Sequence, residues 1–304
     1  MKLPFDIGQR FILRLLLPCA LIAMVLFPLA DSAVRQFGYE INPAILFVSL
    51  ALAASMALML LEHPILSFMA GRRYWPAFLR RLGLALEAAR LATLVDQTKR
   101  AADEARVTEL SIQASEFPLN PATGEPMATY PTRLGNLVAS YETYPTVKYQ
   151  LDGVFFWPRL WVVIDKDLRE ELDSAQAVAD GGVYACFVLV LAAPVAVADA
   201  FMTGHRAPWL VAAGVSLVLA RGVYLAALPK YAQFGELFAA AYDQYRSRIS
   251  FGALVEELDR HMADVRRRPR SDREASLAAW RFLKWHRYRR SNATENVIVK
   301  DWTR

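Results

Sequence analysis

Four stretches of apolar residues decide what this chain can fold into: Phe11–Ala30, Pro43–Leu61, Val183–Met202 and Trp209–Leu228. Each holds about 20 residues, enough for one α-helix to cross a hydrocarbon layer ~30 Å thick. Backbone N–H and C=O groups find no water inside lipid, so a run of this kind must satisfy them internally, as a helix does. The expected fold is all-α and integral to the membrane. It has four transmembrane helices in two hairpins, with a mostly helical cytoplasmic domain. The corresponding segments are 1–68 for the first hairpin, 69–180 for a cytoplasmic insert domain and 181–230 for the second hairpin. Residues 231–304 form cytoplasmic C-terminal helices and a basic tail.

Charge sets the orientation. Lys2, Arg10 and Arg14 lead into the first run, and Arg72, Arg73, Arg80 and Arg81 follow the second. The loop between them holds Asp31, Arg35 and Glu40, with no basic excess. Basic residues stay on the cytoplasmic side, which puts both termini there. The first run resembles a signal peptide, with a passable cleavage site at Ala30-Asp31-Ser32. It exceeds the usual apolar core of ~7–15 residues, however, and reads as a retained span. The 304 residues are 55% apolar, yet their charges collect outside the runs, as in a membrane protein with water-facing parts.

Between the runs the pattern is mainly helical. From Trp75 to Arg106, Phe78, Leu79, Leu82, Leu86, Leu91 and Leu94 recur at three- and four-residue steps. Packing on a protein core is the expected role of that face; lipid and a sister subunit are the alternatives. Val107–Ile112 alternates weakly and predicts a strand, and Phe117–Tyr130, with three prolines, predicts a loop. A helix is expected from Thr132, with Leu134, Leu137, Val138 and Tyr141 on one face, ending at Pro145. Asp165 is the expected N-cap of a helix that runs straight into the third span. Beyond Leu228 the sequence predicts one long amphipathic helix or two, with Phe234, Leu237, Phe238, Ala241 and Tyr245 on one face.

Charges at membrane depth are costly and often functional. Arg14, Glu62, His63 and Arg221 fall at a similar depth and form a candidate charge layer; snorkelling arginines and a solvated Glu62 are the plainer account. Asp199 is expected at the outer interface, within reach of water. Small-residue ridges at Ala192, Ala196 and Ala200, and at Ser49, Ala53 and Ala57, suit close helix packing within a subunit or between subunits.

The stretch Leu151–Asp173 is a candidate coupling joint between the cytoplasmic domain and the third span. Asp152, Trp157, Pro158, Arg159, Trp161 and Asp165 are its key residues, with Arg159 expected over an aromatic face or on a carboxylate. Its carboxylates have Lys166 and Arg169 among them and no histidine nearby, so a solvated face explains them better than a metal site.

From Arg260 to Arg290 there are eleven basic residues against Asp264, Asp272 and Glu274, a balance of +8. Arg266, Arg267, Arg268, Arg270, Trp280, Lys284, Trp285 and Arg287 there suit anionic lipid headgroups. Nucleic acid is the weaker reading, because no nucleic-acid-binding signature accompanies the charge. Cys19 and Cys186 both fall in apolar runs and read as small packed hydrophobes. Nucleotide-binding, zinc-protease and hydrolase signatures are absent, and no cofactor is implied.

Four motifs stand out: PTRLGN (Pro131–Asn136), LDGVFFWPRLW (Leu151–Trp161), DKDLREELD (Asp165–Asp173) and YAQFGELFAAAYDQYR (Tyr231–Arg246). They resemble motifs of a family of uncharacterised bacterial four-span membrane proteins. That resemblance implies a bacterial envelope protein, hence the inner membrane, and brings no activity with it. Where the pattern has glycine before Leu151-Asp152, this chain has Gln150. The preferred functional expectation is a non-enzymatic, self-associating scaffold that presents its cytoplasmic domain to a protein partner. Its other partners are membrane lipids and further copies or subunits of a membrane complex. An oligomeric pore and a membrane-bound metal-dependent enzyme are the alternatives.

Overall fold

The computed structural model of the chain describes residues 17–121, 123–202 and 206–249. Eight α-helices follow in order among them. They are α1 (Leu17–Gln36), α2 (Pro43–Met69), α3 (Ala77–Arg100), α4 (Glu104–Ala114), α5 (Arg133–Tyr149), α6 (Gly153–Val163), α7 (Lys166–Met202) and α8 (Arg206–Tyr245), before a short 3₁₀ turn at Arg246–Arg248. No strand occurs among the described residues, and the one isolated bridge joins Leu119 to Pro126.

Three helices are long and apolar enough to cross a membrane: Pro43–Met69, Lys166–Phe201 and the stretch Ala207–Arg248. Helix α1 adds a fourth if its two halves, Pro18–Met24 and Leu26–Gln36, bent by 41°, count as one span. Pro28 explains the bend, since it cannot bond back to the carbonyl of Met24 and its ring crowds that turn.

The frame is the α7/α8 pair. At 37 and 40 residues these helices are about 55 and 60 Å long at 1.5 Å per residue, roughly twice what a bilayer needs. Their remaining halves project as a paired rod, on which α5 and α6 pack through α8. A Cβ on Gly182 would sit 2.9 Å from that of Ala227, so the two helices meet closely where they enter the apolar zone. On the membrane side α1 packs against both α2 and α7.

Two buried clusters join the rod to the outer domain. Leu134 and Leu137 of α5 pack with Ala179, Val183, Ala227, Leu228 and Tyr231 of the pair. Further from the membrane, Phe155, Phe156 and Leu160 of α6 pack with Leu172, Phe234, Phe238 and Tyr242. Phe156, Leu160, Leu172 and Tyr242 are wholly buried. For Phe and Leu side chains such burial contributes about 1.5–3 kcal/mol each.

Several sequence expectations are corrected. Val107–Ile112 belongs to α4: the Asp103 carboxylate accepts from Ala105 N, and Leu110 packs on Leu94 and Phe117. Pro145 lies inside α5, which runs on to Tyr149; Pro145 is buried against Gly153, and this contact offsets the one lost backbone bond. The helix ends instead at Gln150, left-handed with φ 59°, whose N–H reaches Thr146 O at 3.0 Å. Asp199 is buried at 2% exposure, because it shares the face of α7 that carries Ala192 and Ala196, which neighbouring helices cover.

The leucine face of α3 is the largest departure. Phe78, Leu82 and Leu86 are 69%, 58% and 63% exposed. The inward row is Gly83, Glu87, Arg90 and Leu94, a close-approach glycine followed by two ion-pairing residues. Polar contacts, not apolar spacing, orient this helix.

Candidate functional site at the base of the long helix pair

The PTRLGN segment lies where α2 ends, α3 begins and α8 leaves the apolar zone, and each of its six residues has a distinct contact. Pro131 is wedged between Gly71 and Gly83: a Cβ on either glycine would come within 2.6 Å of Pro131. Thr132 caps α5, its hydroxyl accepting from Gly135 N at 3.0 Å. Arg133 donates from Nε and Nη2 to the two oxygens of Glu116, at 2.9 and 2.8 Å, and Arg90 also bonds Glu116. Leu134 N donates to the Tyr224 hydroxyl at 3.1 Å. Gly135 faces the backbone of Ala70, whose carbonyl oxygen would lie 2.0 Å from an added Cβ.

Asn136 is fully buried and makes four bonds. Its Oδ1 accepts from Thr129 N at 2.9 Å and Tyr130 N at 2.8 Å. Its Nδ2 donates to Tyr130 O at 2.9 Å and Glu87 Oε2 at 3.2 Å. Beside this knot Arg72 forms a two-pronged pair with Glu142 and lies 5.1 Å over the Tyr130 ring. Burial alone would raise the Glu116 pKa. Hydrogen bonds from Arg133 and Arg90, with their charges, outweigh it and hold that carboxyl below its ordinary value.

Tyrosine hydroxyls make the second set of ties. Tyr231 donates to the buried carboxylate of Asp180, linking α8 to α7. Tyr242 donates to Gly153 O, and Tyr245 to Asp165 Oδ2, each at 2.5 Å. Tyr144 and Tyr149 of α5 converge on Asp243, at 2.9 and 2.6 Å. Burial and the bond to Asp243 push the pKa of the Tyr149 hydroxyl up to about 12. Every one of these groups serves as a fastener between helices. Hydroxyls, carboxylates and guanidinium groups pair across the helices here, and the pairing sets how the helices are positioned.

The residues of the expected joint lie next to this seam. Asp152 caps α6 by accepting from Phe155 N at 2.9 Å. Trp157 stacks on Phe238 with ring centroids 4.4 Å apart and lies 5.6 Å from Trp161. Arg159 stands 4.4 Å over the Phe155 ring and donates to Phe155 O at 3.1 Å. Pro158 is exposed and lies inside α6, which runs on to Val163 and ends at the extended Ile164. Asp165 also pairs with Arg248 at 3.1 Å.

Of the expected charge layer, Glu62 is half-buried and His63 exposed on α2, and Arg221 is exposed on α8. Arg14 lies outside the described residues, as do Arg266, Arg267, Arg268, Arg270, Trp280, Lys284, Trp285 and Arg287. The Ala192, Ala196, Ala200 ridge is buried between helices, whereas Ser49, Ala53 and Ala57 face outward. Asp167 and Glu171 are exposed on α7, and no group of three His, Cys, Asp or Glu side chains that could hold a metal occurs among the described residues.

Sequence reasoning missed Asn136, Tyr224, Asp180 and Tyr231 as fasteners. For Asp180 a signal existed: it is the last acid before the third apolar run. Comparison of the chain with protein-family models, curated proteins and solved structures finds no match.

Proposed function

We propose that the protein is a non-enzymatic scaffold of the bacterial inner membrane, with four spans and both termini cytoplasmic. It self-associates in the bilayer and holds its helical domain at the cytoplasmic face for a protein partner. One observation carries this reading: α7 and α8 pass from apolar span to outer domain without a break. The domain is locked to them by buried aromatics and by the Tyr231–Asp180, Tyr242–Gly153 and Leu134–Tyr224 bonds. A domain so fixed keeps a set height and orientation relative to the membrane, which suits presentation to a partner. For self-association the surface on offer is the outward ridge of Ser49, Ala53 and Ala57 on α2, where small side chains let another helix approach.

The test uses native membranes. With Cys19 and Cys186 replaced by alanine, Ala53→Cys should form disulfide-linked dimers on mild oxidation, and crosslinkers placed on α4 should trap a second protein. A chain that stays monomeric and captures nothing would sink the proposal. Modification of a cysteine at Gln97 only from the cytoplasmic side checks the orientation.

A further inference from the structure

Helix α3 leaves an apolar row uncovered next to the membrane exit of α2. Phe78, Leu82 and Leu86 stand four apart and are 69%, 58% and 63% exposed. Two observations say what covers them. The first is position. Gly71, just past the end of α2, and Gly83, in the second turn of α3, press on the same proline, Pro131. Gly83 is therefore about as deep as Gly71, and the first half of α3 runs along the exit level of α2 instead of descending away from it. α2 itself presents apolar residues outward up to its end, with Leu60 79% and Phe68 37% exposed, and Tyr74, in the link from α2 to α3, is exposed as well. Aromatic residues at such a level are typical of the membrane–water interface.

The second observation is charge. From residue 71 to 86 the chain carries Arg72, Arg73, Arg80 and Arg81 and no acid. Arg72 is paired with Glu142, while Arg73, Arg80 and Arg81 are exposed. A second copy docking on this row across a two-fold axis would bring the same arginines together, at a Coulombic cost. Anionic headgroups complement them.

We propose that the first half of α3, residues 77–87, is an in-plane interfacial helix on the α2 exit side. Its Phe78, Leu82 and Leu86 side chains enter the acyl boundary, and Arg73, Arg80 and Arg81 engage anionic lipid headgroups. Such a helix fixes the height of the outer domain independently of the α7/α8 pair.

The test uses the full chain, with Cys19 and Cys186 replaced by alanine, in vesicles of phosphatidylethanolamine and phosphatidylglycerol. A nitroxide is attached at Leu82→Cys or, as the aqueous reference, at Gln97→Cys. The expected result is a severalfold higher ratio of oxygen to nickel-chelate collisions at 82 than at 97. Replacing Arg73, Arg80 and Arg81 with glutamine, or using phosphatidylcholine alone, should lower that ratio. Equal ratios at the two positions would overturn the proposal. So would a label at 82 shielded from both reagents, as protein contact produces. A high ratio indifferent to lipid charge and to the arginines would remove the headgroup contact.

Discussion

The hydroxyl of Tyr224, on a helix long and apolar enough to cross a membrane, accepts the backbone N–H of Leu134 at 3.1 Å. Leu134 lies in the first turn of α5, where N–H groups have no intrahelical partner. The Thr132 side chain serves Gly135, and Tyr224 serves Leu134, so a tyrosine of α8 completes the cap of a helix 90 residues earlier. Tyr224→Phe keeps the ring and removes the acceptor, leaving a buried N–H unpaired. Thermal unfolding in detergent should show a loss of about 1–2 kcal/mol. An unchanged transition would mean that the bond adds nothing to domain docking.

Asn136 is the most demanding position in the seam, because its amide both accepts and donates. Asn136→Ala strands two loop N–H groups and should cost about 3 kcal/mol. Limited proteolysis should then cut within residues 117–130 ahead of the helices. Asn136→Asp keeps the acceptor but sets a carboxylate against Glu87, whose Oε2 now receives Nδ2 at 3.2 Å. That variant should be less stable at pH 8 than at pH 5, whereas Asn136→Ala should not show this difference.

The long apolar helices were legible because hydropathy is a local property: Pro43–Met69 and the two long helices register in any window of about 20 residues. Their continuation beyond the apolar runs was also legible, through the helical spacing of Phe234, Phe238 and Tyr245. The face that α3 turns inward was not. Gly83, Glu87 and Arg90 outrank four leucine-type positions because Pro131, Asn136 and Glu116 meet them, and those partners lie 26 to 49 residues away in sequence. Pairing between distant polar groups leaves no periodic trace. Burial of Asp199 was hidden too, since exposure near a helix end depends on which neighbouring helices cover it.

The Glu116 carboxyl ties α3 to α5 through Arg90 and Arg133, and its pKa in the fold lies below the ordinary 4.5. The stability it contributes is therefore fully present above that ordinary value. It is lost as pH falls through the depressed value in the fold. Melting temperature measured from neutral to acidic pH should fall in that window. Glu116→Gln should start lower at neutral pH, by about 2 kcal/mol, and show a shallower decline. Parallel curves for the two proteins would place the acid sensitivity elsewhere.

Close backbone approach, not flexibility, explains the glycine of PTRLGN. An added Cβ at Gly135 would lie 2.0 Å from the carbonyl oxygen of Ala70, and a main-chain atom cannot swing away as a side chain can. Gly135→Ala should cost more than about 3 kcal/mol, or prevent accumulation of folded protein. Gly222→Ala, on α8 with open space around it, should stay within about 1 kcal/mol of the parent. Equal tolerance at both positions would mean that α2 and α5 do not meet as tightly as this contact requires.

Gln150 is a place where the chain departs from its best local chemistry. It ends α5 in the left-handed region, at φ 59° and ψ 25°, a conformation that crowds the Cβ of any L-residue but not glycine. Its N–H bonds Thr146 O at 3.0 Å, and Leu151 N bonds Pro145 O at 3.1 Å, so the backbone geometry is fixed by the turn whatever the side chain. The residue is exposed, and removing its side chain uncovers no core. Gln150→Gly should therefore raise stability by about 0.5–1 kcal/mol, net of the extra chain entropy that glycine brings. Gln150→Val, β-branched and least suited to positive φ, should lower it. The order Gly above Gln above Val in thermal unfolding is the expected outcome; the reverse order would mean that the turn after α5 is not left-handed at this position.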